Sequence, residues 1–200
     1  MAIGVLLKQV PDTTAKIGVS GGRVDESAVS KWSMSPYDEY ALESALKLKE
    51  SSGGDVVAIT CGPARAGKML TDAAAVGADT LMHVQIDGQD SIDSTQIQSV
   101  LVAALEKAGC EVVFCGKQAA DTNGGSTGPG VAMLMGASCV SHVSEVSADA
   151  GGYTALRQRQ QYAIEAMASL EELRQLTLKT KFSRIPVYND TVDEIIGVVL

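Results

Sequence analysis

The stretch Glu111-Val112-Val113-Phe114-Cys115, continuing as Gly116-Lys117-Gln118-Ala119-Ala120-Asp121-Thr122-Asn123-Gly124-Gly125-Ser126-Thr127-Gly128-Pro129, decides how the rest of the chain is read. A short apolar run of strand type ends in a polar, glycine-rich turn. A small-residue helix pattern, Gly130-Val131-Ala132-Met133-Leu134-Met135, follows. Strand, small turn and helix N-terminus together suit phosphate: unpaired backbone N–H groups leave the helix end, and the dipole there favours an anion. Gly124 and Gly125 admit close approach to the backbone, and the Ser126 and Thr127 hydroxyls can cap the helix. The same features also describe an ordinary capped turn, and the stretch alone leaves both readings open.

Upstream, strands and helices alternate, without an internal sequence repeat. Residues 3–8 form an apolar run that reads as a buried first strand, ending in a loop at Gln9-Val10-Pro11-Asp12. Gly21-Gly22 marks the turn of a small hairpin over 16–25. Ser35-Pro36 opens a helix, with Ser as N-cap and Asp38 and Glu39 in the first turn. Its apolar face is expected on Tyr37, Tyr40, Ala41, Ala45 and Leu48. Strands at 55–61 and 80–85 bracket a helix closed by Gly77, and a third helix over 93–108 stops at Gly109. Residues 139–146 are expected as a fifth strand and 153–157 as a last one. Strands alternating with helices imply an α/β fold, a doubly wound, mostly parallel sheet with helices on both faces. Ligands of such sheets sit beyond the carboxyl ends of the strands, where the strand order switches. Three loops lie there: after Lys8, after Cys61 and after Cys115.

Composition limits the function. The chain has 200 residues, 46% apolar but only 4% aromatic, so the core must come from aliphatic side chains, Ala and Met. A net charge of −8 argues against a nucleic-acid partner. Cys61, Cys110, Cys115 and Cys139 form no C-x-x-C pair and read as buried thiols of a reducing compartment. No apolar stretch approaches 18 residues, so no membrane span is expected and the protein is placed in the cytoplasm. His83 and His142 fall in strand patterns without carboxylate partners at metal spacing, and no metal site or catalytic nucleophile set is found.

Several spaced motifs, in order, resemble the β subunit of electron-transfer flavoproteins over residues 1–157. They are Val5-Leu6-Leu7-Lys8-Gln9-Val10-Pro11-Asp12, Met34-Ser35-Pro36-Tyr37-Asp38-Glu39, Thr60-Cys61-Gly62-Pro63, Ala74-Ala75-Val76-Gly77-Ala78-Asp79, Gly116-Lys117-Gln118-Ala119-Ala120-Asp121 and Thr127-Gly128-Pro129. The resemblance implies an adenine-nucleotide fold that buries AMP, or FAD in electron-bifurcating relatives. It also implies pairing with an FAD-bearing α subunit that relays electrons from dehydrogenases. By position it implies cofactor contacts at Leu6, Ser35, Pro36, Tyr37, Asp38 and Cys61. It implies further contacts at Ala119, Ala120, Asp121, Thr122, Asn123, Gly124, Gly125, Ser126, Thr127, Gly128, Pro129 and Gly130. Lys8 and Lys117 end strands near that site and either neutralise a phosphate or stay solvated, and Asp121 bonds a ribose or fixes the turn. Two departures stand out. Gly125-Ser126 replaces the family's usual Asn-Gln, and the family's C-terminal docking segment is absent.

Residues 158–200 differ in texture. A helical stretch is expected over 158–167, and Ser169-Leu170-Glu171-Glu172 reads as a capping box. The region from about 168 to 200 resembles a partial CBS module of the haemolysin/magnesium-efflux type, an αββ pattern. Two alternatives to the electron carrier follow: an adenine-nucleotide-sensing regulatory module with a CBS-like tail, or a non-functional chimeric or truncated chain.

Overall fold

The apolar runs gather into one sheet because they are too apolar to leave either face in water. The computed structural model describes residues 1–86, 92–149, 152–157, 164–165, 169, 171–175, 185–189 and 191–199. The chain divides into two units, Met1–Arg157 and Gln158–Leu200.

In chain order the first unit carries β1 (Ala2–Leu6), β2 (Gln9–Pro11), β3 (Gly18–Ser20), β4 (Arg23–Asp25), β5 (Trp32–Met34) and α1 (Pro36–Ser52). There follow β6 (Asp55–Gly62), α2 (Gly67–Ala75), β7 (Thr80–Gln85), α3 (Ser94–Ala108), β8 (Cys110–Cys115), α4 (Thr127–Met135), β9 (Val143–Asp149) and β10 (Gly152–Arg157). Four strands pair in parallel in the order β7-β6-β1-β8. The chain steps from β1 through β6 to β7, then returns to the far side of β1 for β8. The strand order therefore switches between β1 and β8.

Alternation along the strands builds two cores. Ile3, Val5, Val56 and Ala58 meet Ala41, Leu42, Ala45 and Leu48 of α1 and Met69, Leu70 and Ala73 of α2. Leu6, Val57 and Ile59 meet Leu101, Val102, Ala104 and Leu105 of α3 and Val131 of α4. Helices thus cover both faces, as the doubly wound reading requires. Ile3, Leu48, Ile59, Met69 and Leu105 are fully buried, and truncating such a side chain to Ala costs about 2–5 kcal/mol.

The structure departs from the expectations in several places. The expected fifth strand does not join the parallel sheet. Residues 139–142 are outside any strand, and β9 pairs antiparallel with β10. Ser144, Glu145 and Ser147 explain this: they are exposed polar residues that a strand covered on both faces has no place for. His142 accordingly lies outside a strand, with φ 59°. The segment after Lys8 is not only loop, since β2 pairs antiparallel with β5. The buried face of α1 is rotated from the one expected, with Asp38 buried while Tyr37 and Tyr40 are exposed. The hairpin forms as expected, β3 against β4, with Gly21 and Gly22 both at positive φ as a tight right-twisting turn needs.

In the second unit, β11 (Ile164–Glu165) pairs in parallel with β12 (Ile185–Asn189), which pairs antiparallel with β13 (Thr191–Val199). The helix expected over 158–167 falls outside the described residues except for Ile164–Glu165, which are strand. A short helix covers 171–175. The Ser169 N–H donates to Glu172 Oε2 at 2.7 Å, and the Glu172 N–H donates to Ser169 Oγ at 3.3 Å, a closed capping box.

Candidate functional site at the switch in strand order

Two neighbouring parallel strands that lead to opposite faces leave a gap between their outgoing loops. Here one side chain spans it. Pro36 fixes the first turn of α1, and the Ser35 N–H donates to Lys8 O at 2.9 Å, so α1 starts beside the end of β1. That places the Asp38 carboxylate between the loops. Its Oδ2 accepts the Lys8 N–H at 2.7 Å and its Oδ1 accepts the Gly116 N–H at 3.1 Å. These two bonds also set the rotation of α1. A Cβ on residue 116 would run into Asp38 Oδ1 and the Tyr37 backbone, so this position needs glycine. Burial pushes the Asp38 carboxyl up to about 6, against the pull of the two backbone N–H groups and the Lys8 charge, while the Asp121 charge adds to the rise.

Lys8 is engaged by a second carboxylate. Its Nζ lies 2.8 Å from both Asp121 oxygens, so its charge is spent within the chain. The loop around Asp121 holds its own shape. The Ala119 N–H donates to Gly124 O at 2.9 Å and the Asn123 N–H to Ala119 O at 2.8 Å, with Asn123 at φ 54°. Gln118 Nε2 donates to Asn123 Oδ1 at 3.1 Å.

The loop then feeds α4. Gln98, buried on α3, donates from Nε2 to Ser126 O at 3.1 Å, and its side chain fills the space a Cβ on Gly130 would need. The Gly130 N–H goes to Ser126 O at 2.9 Å and Pro129 has none, so the Thr127 and Gly128 N–H groups leave the helix end without an intrahelical acceptor. Neither expected hydroxyl cap forms. Ser126 stands at the N-cap of α4 and Ser35 at that of α1, but neither side chain makes a cap bond. Ser35 is fully buried, and among the described residues its Oγ has no hydrogen-bond partner.

Of the residues expected at the site, Lys8, Ser35, Asp38 and Asp121 are joined by these bonds, with Pro36 and Tyr37 flanking Asp38. Leu6 sits in register between Ile59 and Cys115. Residues 119–126 form the loop, and Thr127, Gly128, Pro129 and Gly130 the first turn of α4. Cys61 is one strand further on, against the α3 and α4 core with Leu6 and Cys115, its thiol pushed up by burial. Cys115 is raised to about 11, first by burial and then by the Asp38 and Cys139 charges, so it is a packed thiol and not a reactive one. Lys117 is exposed. The sequence reading missed Gln98, though a signal was there: 98, 101, 102 and 105 share one helical face, and Gln98 is its polar interruption. It also missed Gly116 as the partner of Asp38. Among the described residues no cluster of His, Cys, Asp and Glu could hold a metal ion, and no helix is long and apolar enough to cross a membrane.

Fold and site together define a doubly wound α/β domain with a polar, hydrogen-bonded cluster of loop residues at its switch point. The pattern of the electron transfer flavoprotein domain matches residues 24–178. The electron transfer flavoprotein subunit beta of Mus musculus is 32% identical over 204 residues, covering 92% of this chain and 79% of that protein. The subunit beta of Bacillus subtilis is 33% identical over 147 residues, covering 73% of this chain and 57% of its own length. The acryloyl-CoA reductase electron transfer subunit gamma of Anaerotignum propionicum is 36% identical over 135 residues, covering 66% and 51%. The chain therefore belongs to the electron transfer flavoprotein β-subunit family. It spans little more than half the length of the Bacillus and Anaerotignum relatives.

Proposed function

We propose that this chain binds an adenine nucleotide, AMP or FAD, at the carboxyl ends of β1, β6 and β8. It pairs with an FAD-bearing electron-transfer-flavoprotein α subunit to relay electrons from dehydrogenases in the cytoplasm. Family membership sets the class, and the four free cysteines suit a reducing compartment. One structural observation carries the site. The Ser35 hydroxyl is fully buried beside the end of β1 and has no partner among the described residues, and such a group costs roughly 1–3 kcal/mol unless something bonds it. A nucleotide that displaces the cover over Ser35 as it binds supplies that bond.

The remaining donors fit an anionic ligand. The first turn of α4 offers the Thr127 and Gly128 N–H groups and the Ser126 and Thr127 hydroxyls. At Gly125 a Cβ would stand 3.0 Å from Lys117 O, so the turn is tight and its backbone uncovered. The phosphate belongs at this helix end and not at Lys8, whose charge Asp121 takes. Asp38 occupies the Lys8 and Gly116 N–H groups and keeps an anion out of the crevice floor. A bound flavin supplies any redox chemistry; the residues here hold, orient and desolvate the nucleotide.

The regulatory-module reading has the αββ order of the second unit in its favour, as half a CBS module needs. The flavoprotein match runs past Arg157 to residue 178, which favours the electron carrier.

Ser126→Asp tests the site. A carboxylate at the head of α4 suits the helix dipole by about 0.3–1 kcal/mol, so the fold survives, while it repels a phosphate. Compared with the parent stripped of nucleotide, the variant should melt at or above the parent's temperature, and denatured as purified it should release no nucleotide where the parent does. Equal nucleotide from both removes α4 from the site.

A further inference from the structure

Residues 9–34 leave the sheet after Lys8 and return at Ser35, and the Ser35 N–H bond to Lys8 O joins the two ends. The segment is knit internally. β2 pairs with β5 and β3 with β4, Lys31 holds Asp12 at 2.8 Å, and the Ser30 N–H donates to Lys16 O at 3.1 Å. Val10 and Val29 are buried, yet neither is part of the two cores on the sheet.

Three separate parts of this segment meet one side chain on the loop after β6. Arg65 donates from Nε to Glu26 Oε2 at 3.2 Å, from Nη2 to Glu26 Oε1 at 2.9 Å, and from Nη1 to Gln9 Oε1 at 2.6 Å. Its guanidinium lies 3.5 Å from the centroid of the Trp32 ring. Its carbonyl oxygen accepts Gln9 Nε2 at 3.2 Å. Only a planar, many-donor cation can fork to one carboxylate, bond an amide and stack on an indole together, which a lysine cannot do.

We propose that residues 9–34 are a strap, hinged where Lys8 meets Ser35 and latched by Arg65, and that releasing the latch opens the carboxyl end of the sheet. A two-stranded ladder in water is marginal on its own, so a strap detached from Arg65 loses the protection of its own ladders. Both hinge residues belong to the nucleotide site proposed above; the ligand arm of the test rests on that reading, and the opening does not.

Amide hydrogen exchange on the full chain decides it, comparing the parent with Arg65→Ala and Arg65→Lys. In Arg65→Ala the amides of 9–34, with that of Ser35 at the hinge, should exchange at least about tenfold faster while β1, β6 and β8 keep their rates. Arg65→Lys should fall within about threefold of Arg65→Ala, since it keeps the charge and loses the fork and the stacking. Unchanged strap exchange overturns the proposal, as does a rise shared equally by the sheet, or an Arg65→Lys that behaves like the parent. With AMP bound to the parent, its release should speed up in Arg65→Ala. Release at the parent's rate from an open strap overturns the strap's control of access. If the parent binds neither AMP nor FAD, the nucleotide reading fails and the exchange rates alone judge the strap.

Discussion

Asp38 is the residue on which the crevice turns, and its chemistry makes the site sensitive to pH. Its folded-state value of about 6 lies above the ordinary 3.8, with burial the main cause. The folded chain therefore binds a proton that the unfolded chain releases, and the charged form opposes folding at neutral pH. Stability from this group is full on the acid side and is lost as pH rises through about 6. From pH 7 to pH 5 it should contribute a gain of roughly 1 kcal/mol. Asp79 works in the other direction and in another window. Lys49 and the Val56 N–H hold its carboxyl below the ordinary range, so its contribution is lost only in stronger acid. Urea unfolding of the parent and of Asp38→Asn at both pH values isolates the effect. The gain should appear in the parent and vanish in the variant; equal pH dependence in both would show that Asp38 is not the titrating group. The sequence marked Asp38 as a first-turn helix acid and, by resemblance, a nucleotide contact. It did not tell that the carboxylate reaches Gly116, 78 residues away, because spacing carries no record of which strands become neighbours.

Among the elements, boundaries followed where local chemistry fixes them. α3 begins at Asp93 with a reciprocal box, the Gln96 N–H donating to Asp93 Oδ1 and the Asp93 N–H to Gln96 Oε1, and ends on Gly109 in the left-handed region. Asp93→Ala should cost about 1 kcal/mol of unfolding free energy, read as a lower urea midpoint with the same slope; no change would mean that the cap is idle in solution. Where long-range contacts decide, periodicity misled. It put Tyr37 and Tyr40 on the buried face of α1, but the Asp38 bonds to Lys8 and Gly116 turn that face by a residue. It put 139–146 in the parallel sheet, though Ser144, Glu145 and Ser147 could have warned against it. The buried Ser35 hydroxyl is the opposite case. The sequence assigned it an ordinary cap, and the structure leaves it without a partner among the described residues.

Over the whole molecule, the glycine-rich stretch after Cys115 was legible as the end of a strand and the start of a helix. The alternation of strands and helices was enough for a doubly wound sheet. What no local pattern gives is the order β7-β6-β1-β8, and that order brings Lys8, Asp38, Gly116 and Asp121 to one place. The loop's chemistry reads differently once they are there. Lys8 faces Asp121, Asp38 fills the floor, and the head of α4 is the part of the site that offers donors to an anion. The central claim is that an adenine nucleotide sits there, and the most direct measurement is to denature the purified chain and identify what it releases. About one AMP or FAD per chain, absent from Ser126→Asp and reduced in Ser35→Ala without loss of the fold, is the expected result. A folded chain that releases no nucleotide and shows no heat on titration with AMP or FAD would contradict it.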